Sequence, residues 1–121
     1  MATLSVVLVI PVVLFLVMTV AQFVVYFHAS HLATAAAQEG VRAAQVADGT
    51  PEAARAQAED FLAQAGPALV LSPQVDVARD TASARVEVRG QAPQVVPLLR
   101  VGIRAVATGP VERFDPDLAG P

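Results

Sequence analysis

The sequence predicts an α+β chain: one long N-terminal helix, a short second helix, then a three-stranded antiparallel sheet. Three observations carry this reading. An uncharged apolar run near the N-terminus is long enough to cross a bilayer. A 3.6-residue pattern of apolar side chains continues out of that run and reappears after Pro51. Beyond Gln74 the period drops to two.

Charge divides the chain before any element is placed. Of its 121 residues, with a formal net charge of -3, none before Glu39 is acidic or basic apart from the amino terminus and the histidines His28 and His31. All nineteen ionised side chains lie in the remainder, and every cation among them is Arg. This length suits one domain, two at most. Collecting the apolar residues at one end argues for a membrane anchor rather than a soluble enzyme. Without Lys or a clustered basic patch there is nothing to displace the counterions of a nucleic acid, so that partner is excluded. The lack of Cys excludes disulfides, thiol catalysis and cysteine-bearing metal sites.

Residues 6–27 read VVLVIPVVLFLVMTVAQFVVYF, with Thr19 and Gln22 as the clearest polar interruptions. Twenty-two residues rise about 33 Å as a helix, against a hydrocarbon core of about 30 Å. In lipid a helix satisfies its own backbone, which overrides the strand preference of so many valines. Tyr26, Phe27, His28 and His31 suit the membrane–water boundary, so residues 1–28 are assigned to the membrane and lipid is the first partner. A cleaved signal peptide needs a basic start and an apolar core of about 7–15 residues. Only small-residue patterns such as Ala33-Thr34-Ala35 imitate its cleavage site. With no basic residue before the helix and Arg42 after it, charge leaves the topology open. Pro11 frees the Val7 carbonyl and is a place for a kink. Gln22 in apolar surroundings seeks a partner on another helix or water at the interface.

Past the boundary, Leu32, Ala33, Ala36, Ala37, Gly40, Val41, Ala43, Ala44 and Ala47 share one half of the helical wheel, while Thr34, Gln38, Glu39, Arg42 and Gln45 share the other; Ala35 and Val46 break the separation. The expectation is one continuous helix to about Ala47. Its small-residue face is suited to close packing on its own domain or on neighbouring copies.

Asp48-Gly49-Thr50-Pro51-Glu52 ends that helix and starts the next. Gly49 can take positive φ, Thr50 can cap, Pro51 suits the first turn and Glu52 favours its positive end. Ala54, Ala58, Phe61, Leu62 and Ala65 form the second helix's apolar face, which Gly66-Pro67 closes. Val75 and Val77 alternate with polar neighbours, and Asp80-Thr81-Ala82 makes a turn. Ala84, Val86 and Val88 alternate with Arg85, Glu87 and Arg89. After a Pro-punctuated connection over residues 90–99, Val101, Ile103, Ala105 and Ala107 form a third strand on the same core. A Pro- and Gly-rich tail begins at Gly109, and residues 115–121 are expected to be flexible. Residues 29–114 then make a small α+β domain, near the size at which one core is marginal.

Catalytic chemistry is missing from this pattern. His28 and His31 share a helix side, but zinc wants further ligands, and Glu39 lies about two turns beyond His31. Glu59 and Asp60 point about 100° apart on a helix and read as a solvated face. Ser5, Ser30, Ser72 and Ser83 stand in no nucleophile motif, and there is no glycine-rich phosphate loop. No enzyme activity, metal or cofactor is expected.

Several stretches together resemble a known family. Ala2-Thr3-Leu4, the apolar VVLVIPVVLFLV with Pro11, Gln22-Phe23, the run from Ala35 to Ala43 (AAAQEGVRA) and Gly109-Pro110-Val111-Glu112-Arg113-Phe114 look like the TadE-like pseudopilins of actinobacterial tight-adherence pili. The resemblance implies a pilin-like fold, a single pass through the cell membrane with the C-terminal domain outside the cytoplasm, and a minor structural role in pilus assembly. Its implied partners are other pilins and pseudopilins, the assembly platform, and a prepilin peptidase where a leader exists; Met1 stands where the mature family chain begins. The family usually has Glu where this chain has Ser5. The candidate assembly interface comprises Ser5, Pro11, Gln22, Ala33, Ala37, Gly40 and Ala44. The alternative is a single-pass accessory subunit of another membrane complex, recruited through the same small-residue face.

Overall fold

The computed structural model describes residues 2–46 and 48–111. Its elements are α1 (Ala2–Gln45), α2 (Pro51–Ala65), β1 (Leu71–Arg79), β2 (Ser83–Gln91) and β3 (Gly102–Pro110). The three strands form one antiparallel sheet in sequence order. This is the expected α+β architecture, with a three-residue turn between β1 and β2 and a ten-residue connection between β2 and β3.

α1 runs unbroken through Pro11 for 44 residues, about 66 Å at 1.5 Å per residue. Two environments divide it. Residues 3–17 are exposed on every side, and the helix that contains them is long and apolar enough to cross a membrane. Beyond it a buried stripe runs through Gln22, Ala29, Ala33, Ala36, Ala37, Gly40, Val41 and Ala44 at three- and four-residue spacings. Leu32 and Ala43 are half-buried beside the stripe, as the wheel requires, and Val46 is exposed. Ala47 lies outside the described residues.

α2 starts where its capping chemistry places it. Thr50 has extended backbone angles, and its hydroxyl accepts the Ala53 N–H at 3.1 Å, relieving one of the unpaired donors of the first turn. Gly66 ends the helix by donating its N–H to the Leu62 carbonyl at 3.0 Å. Ala54, Ala58 and Leu62 are buried, Phe61 is half-buried, and Ala65 is exposed instead of joining the apolar face. The chain turns off α2 before that last position reaches the core. Gly49 also departs from expectation: no described glycine has positive φ. A side chain at Gly49 would meet the Ala43 carbonyl oxygen at 2.5 Å, so the position is small because α1's end passes close by.

The core is the space between the sheet, α1 and α2. Val75, Ala84, Val86, Val88, Ile103 and Ala105 face inward from the strands, and Val86 and Val88 are fully buried. The alternation in β2 is complete, with Arg85, Glu87 and Arg89 outside. β1 is longer than its alternating part. It begins at Leu71 with a register irregularity between Leu71 and Gln74, and Ser72 there has φ 49°. Pro73 lies in the same irregularity on an edge strand, where a missing N–H is tolerated. β3 continues to Pro110, so Gly109 and Pro110 pair with Ala84 and Ser83 rather than starting the tail. Val111 is buried against Ala44, Ala54 and Ala84. Residues 112–121, including the Glu112-Arg113-Phe114 end of the resemblance and the 115–121 tail, lie outside the described residues.

On the outer face of the sheet, Glu87 accepts a hydrogen bond from Arg104 Nε at 3.0 Å and forms ion pairs with Arg89 Nε at 3.2 Å and Arg85 at 3.7 Å. Arg89 also meets Asp76 at 2.7 Å. Arg89 and Arg104 stand directly opposite each other across β2 and β3, an arrangement that repels unless a carboxylate lies between them. The Arg104 hydrogen bond, helped by the charges of Arg104, Arg89 and Arg85, holds the Glu87 carboxyl below its ordinary value of 4.5. Stability from this group is therefore fully present above that value and is lost as the pH falls through the lowered one. Replacing Glu87 by Gln is expected to lower the thermal midpoint at neutral pH, with the gap to the parent protein closing in acid. Melts in detergent across the carboxylate range check this, and a gap that stays constant with pH would refute it.

Candidate functional site

The candidate residues fall into two groups along α1. Ser5 and Pro11 lie in the bare apolar length. Their neighbours there, Leu4 to Val17, present large apolar side chains that nothing among the described residues covers. In water such a surface would be strongly unfavourable, at about 25 cal/mol per Å². In a bilayer it is at home, and this helix fits a single-pass membrane protein.

Ala33, Ala37, Gly40 and Ala44 are in the second group, where the chain's own domain covers them. Ala33, Ala37 and Ala44 are 0% exposed in the chain alone. Gly40 is the point of closest approach: a Cβ there would stand 3.1 Å from Val86 Cγ1 and 3.3 Å from the Ala54 carbonyl oxygen. α1 thus meets both β2 and α2 at one residue, and a stripe of small side chains is what allows it. Between a domain's own packing and neighbouring copies, this seam is given to the first. The reason is size. A small domain on a long helix has few large side chains for a core, so one wall must come from α1 itself.

Gln22 also finds its partner within the chain. Its Nε2 donates to the Pro93 carbonyl at 3.0 Å, while its Oε1 accepts the N–H groups of Val95 and Val96 at 2.8 and 3.1 Å. The side chain is 4% exposed. Pro93 and Pro97 keep the β2–β3 connection from pairing as strands, since proline lacks the N–H a ladder needs. The amide of Gln22 supplies the missing pairing, so every polar atom it buries is matched. The connection is thereby pinned to α1 inside the segment assigned to the membrane. Together with Leu99 and Val101 it forms an apolar groove against Thr19, Gln22, Phe23 and Tyr26.

Two features had no signal in the sequence. Arg79, at the end of β1, donates to the Ala44 carbonyl at 2.8 Å and the Val46 carbonyl at 3.2 Å. It caps the C-terminus of α1, where carbonyls lack helical partners and a cation suits the dipole. Leu98 has φ 66° and is 97% exposed, two costs at once for a leucine. The Leu99 N–H closes this turn onto the Val96 carbonyl at 3.2 Å, with Pro97 where turns favour it and Leu where they favour Gly.

His28 and His31 are both exposed. Among the described residues no three His, Asp or Glu side chains gather so as to hold a metal ion. Glu59 and Asp60 lie on the solvent side of α2, where Asp60 accepts from Gln64 at 3.1 Å.

No curated protein and no solved structure matches the chain. Residues 1–42 match the family model described as TadE-like protein. The matched segment takes in the bare apolar length, Gln22 and most of the small-residue seam, and stops before the strands. Over this segment the long helix is similar to that of TadE-like proteins.

Proposed function

We propose that the chain is a minor pseudopilin of a tight-adherence type IV-like pilus, anchored by α1 with its α+β domain outside the cytoplasm. The observation that carries the reading is an apolar helix bare over residues 3–17 with a folded domain seated on its other half, in a segment that matches the TadE-like family. A helix of this kind can hold a subunit in the membrane and present it to other pilins and to the assembly platform. Ser5 points to a specialised position at the tip or in the initiation complex. The acidic residue usual there is understood to pair with the terminal amine of the subunit already in place. An ionised carboxylate in the membrane costs about 2.5–3.5 kcal/mol on insertion scales, which a partner amine offsets. Ser avoids the cost and gives up the attraction, as suits a subunit that joins first.

Purification of the native protein in mild detergent should bring down other pilins and platform proteins. Sheared filaments should contain only a few copies relative to the major pilin. Near-equal amounts along the shaft would remove the initiation role, and co-purification with a respiratory or transport complex would replace the pilus reading with that of an accessory subunit.

A further inference from the structure

We infer that the β2–β3 connection is a second membrane contact, inserting the Val96-Pro97-Leu98-Leu99 turn into the outer part of the same bilayer that α1 crosses; this rests on the membrane reading of α1.

Depth is the first argument. Val20, Phe23, Val24 and Phe27 are all more than half exposed, so the bilayer has to reach Phe27 if these side chains are to leave water. Gln22 lies five positions below Phe27, about 7.5 Å along the helix. The groove formed by Leu99 and Val101 extends one turn further, to Thr19. Since Gln22 holds the backbone at Pro93, Val95 and Val96, a bilayer that covers Phe27 meets this connection as well. The turn that carries Leu98 is closed between Val96 and Leu99, so Leu98 cannot stand far from that level.

Composition is the second argument. From Gln91 to Leu99 the chain carries no charge, and Arg89 and Arg100 bracket the stretch. Arg89 is held by Asp76 and Glu87, and an apolar turn next to Arg100 suits an interface in which a guanidinium group remains with the lipid phosphates. Backbone polar groups at membrane depth are tolerated only when protein satisfies them, and the amide of Gln22 does this for three of them.

Leu98 supplies the third. It is the most exposed of the large apolar side chains in the described residues, at 97%, and it stands in a left-handed conformation that Gly or Asn would adopt more easily. A position selected for solubility and turn geometry alone would not be leucine. Lipid contact explains the side chain, and its occupant is the acyl region just beneath the headgroups.

Because the chain has no cysteine, single-cysteine variants of the full-length protein report depth directly. Leu98→Cys, Leu14→Cys on the bare helix and Asp60→Cys on the solvent side of α2 would be labelled with an environment-sensitive fluorophore. Each would be reconstituted in phosphatidylcholine–phosphatidylglycerol vesicles with spin-labelled lipids. The expected result is blue-shifted emission at residue 98, several-fold stronger quenching by acyl chains labelled near the headgroup than by deep labels, and protection from iodide. Residue 14 should respond to the deep label, and residue 60 only to iodide. Pro97→Cys provides the same reading should Leu98→Cys fold poorly. If residue 14 is quenched by lipid while residues 97 and 98 behave like residue 60, the inference fails and the membrane helix stands. If residue 14 itself escapes lipid quenching, the membrane reading fails first. Shielding from both iodide and lipid, with cross-linking to a second copy, would replace lipid by a protein partner and overturn the proposal.

Discussion

Gly40→Leu is expected to unfold the α+β domain while leaving α1 in the membrane. At Gly40 a single added carbon already stands 3.1 Å from Val86 Cγ1 and 3.3 Å from the backbone oxygen of Ala54. Val86 is fully buried and α2's backbone cannot turn aside, so the remaining leucine carbons have nowhere to go. Overpacking of this kind costs about 1–3 kcal/mol and occasionally more. A domain of this size has a core worth roughly 3–5 kcal/mol in all, so the substitution takes most of its stability. Gly40→Ala is the informative companion. Alanine gains about 1 kcal/mol of helix propensity over glycine but places its methyl at the tight contact, so the two effects nearly cancel. Thermal melts and limited proteolysis in detergent should show Gly40→Leu cleaved throughout residues 48–111, and Gly40→Ala close to the parent protein. Parent-like stability for Gly40→Leu would mean that the seam is looser than its distances say.

Gln22→Leu should release the β2–β3 connection without unfolding the domain. The substitution keeps a side chain of similar bulk but leaves the Val95 and Val96 N–H groups and the Pro93 carbonyl without their partner. Each buried polar group left unsatisfied costs about 1–3 kcal/mol, and the connection can escape that cost by moving off α1 into water or headgroups. Amide exchange at Val95 and Val96 is expected to accelerate about a hundredfold, corresponding to about 2.7 kcal/mol. Exchange within β2 should hold steady. Thr19→Val is the neighbouring control, since the Thr19 hydroxyl bonds only to its own helix at Phe15. Unchanged protection at Val95 and Val96 would show that Leu99 and Val101 hold the connection by apolar contact alone.

These two residues mark how far sequence reading carried. Most of what local period governs was legible, Ala65 at the end of α2 being an exception. The continuation of α1 past His28, the small-residue stripe, the Thr50 cap and the alternation of Val86 and Val88 with Arg85, Glu87 and Arg89 all follow from spacing. Spacing states which side of an element must be covered, because 3.6- and 2-residue periods set side-chain direction. It says nothing about what does the covering. The stripe through Ala33, Ala37, Gly40 and Ala44 was compatible with a neighbour or with its own domain, and the path of β2 and α2 across Gly40 decided for the latter. Gln22 shows the same limit more sharply. A buried amide demands partners, yet those it found lie 71 to 74 positions away. Arg79 at the end of α1 and Leu98 at φ 66° belong to the same class. Local chemistry set the elements and their apolar sides; the three-dimensional course of the chain chose the partners, because a hydrogen bond or a close contact depends on distance in space and leaves no period in the sequence.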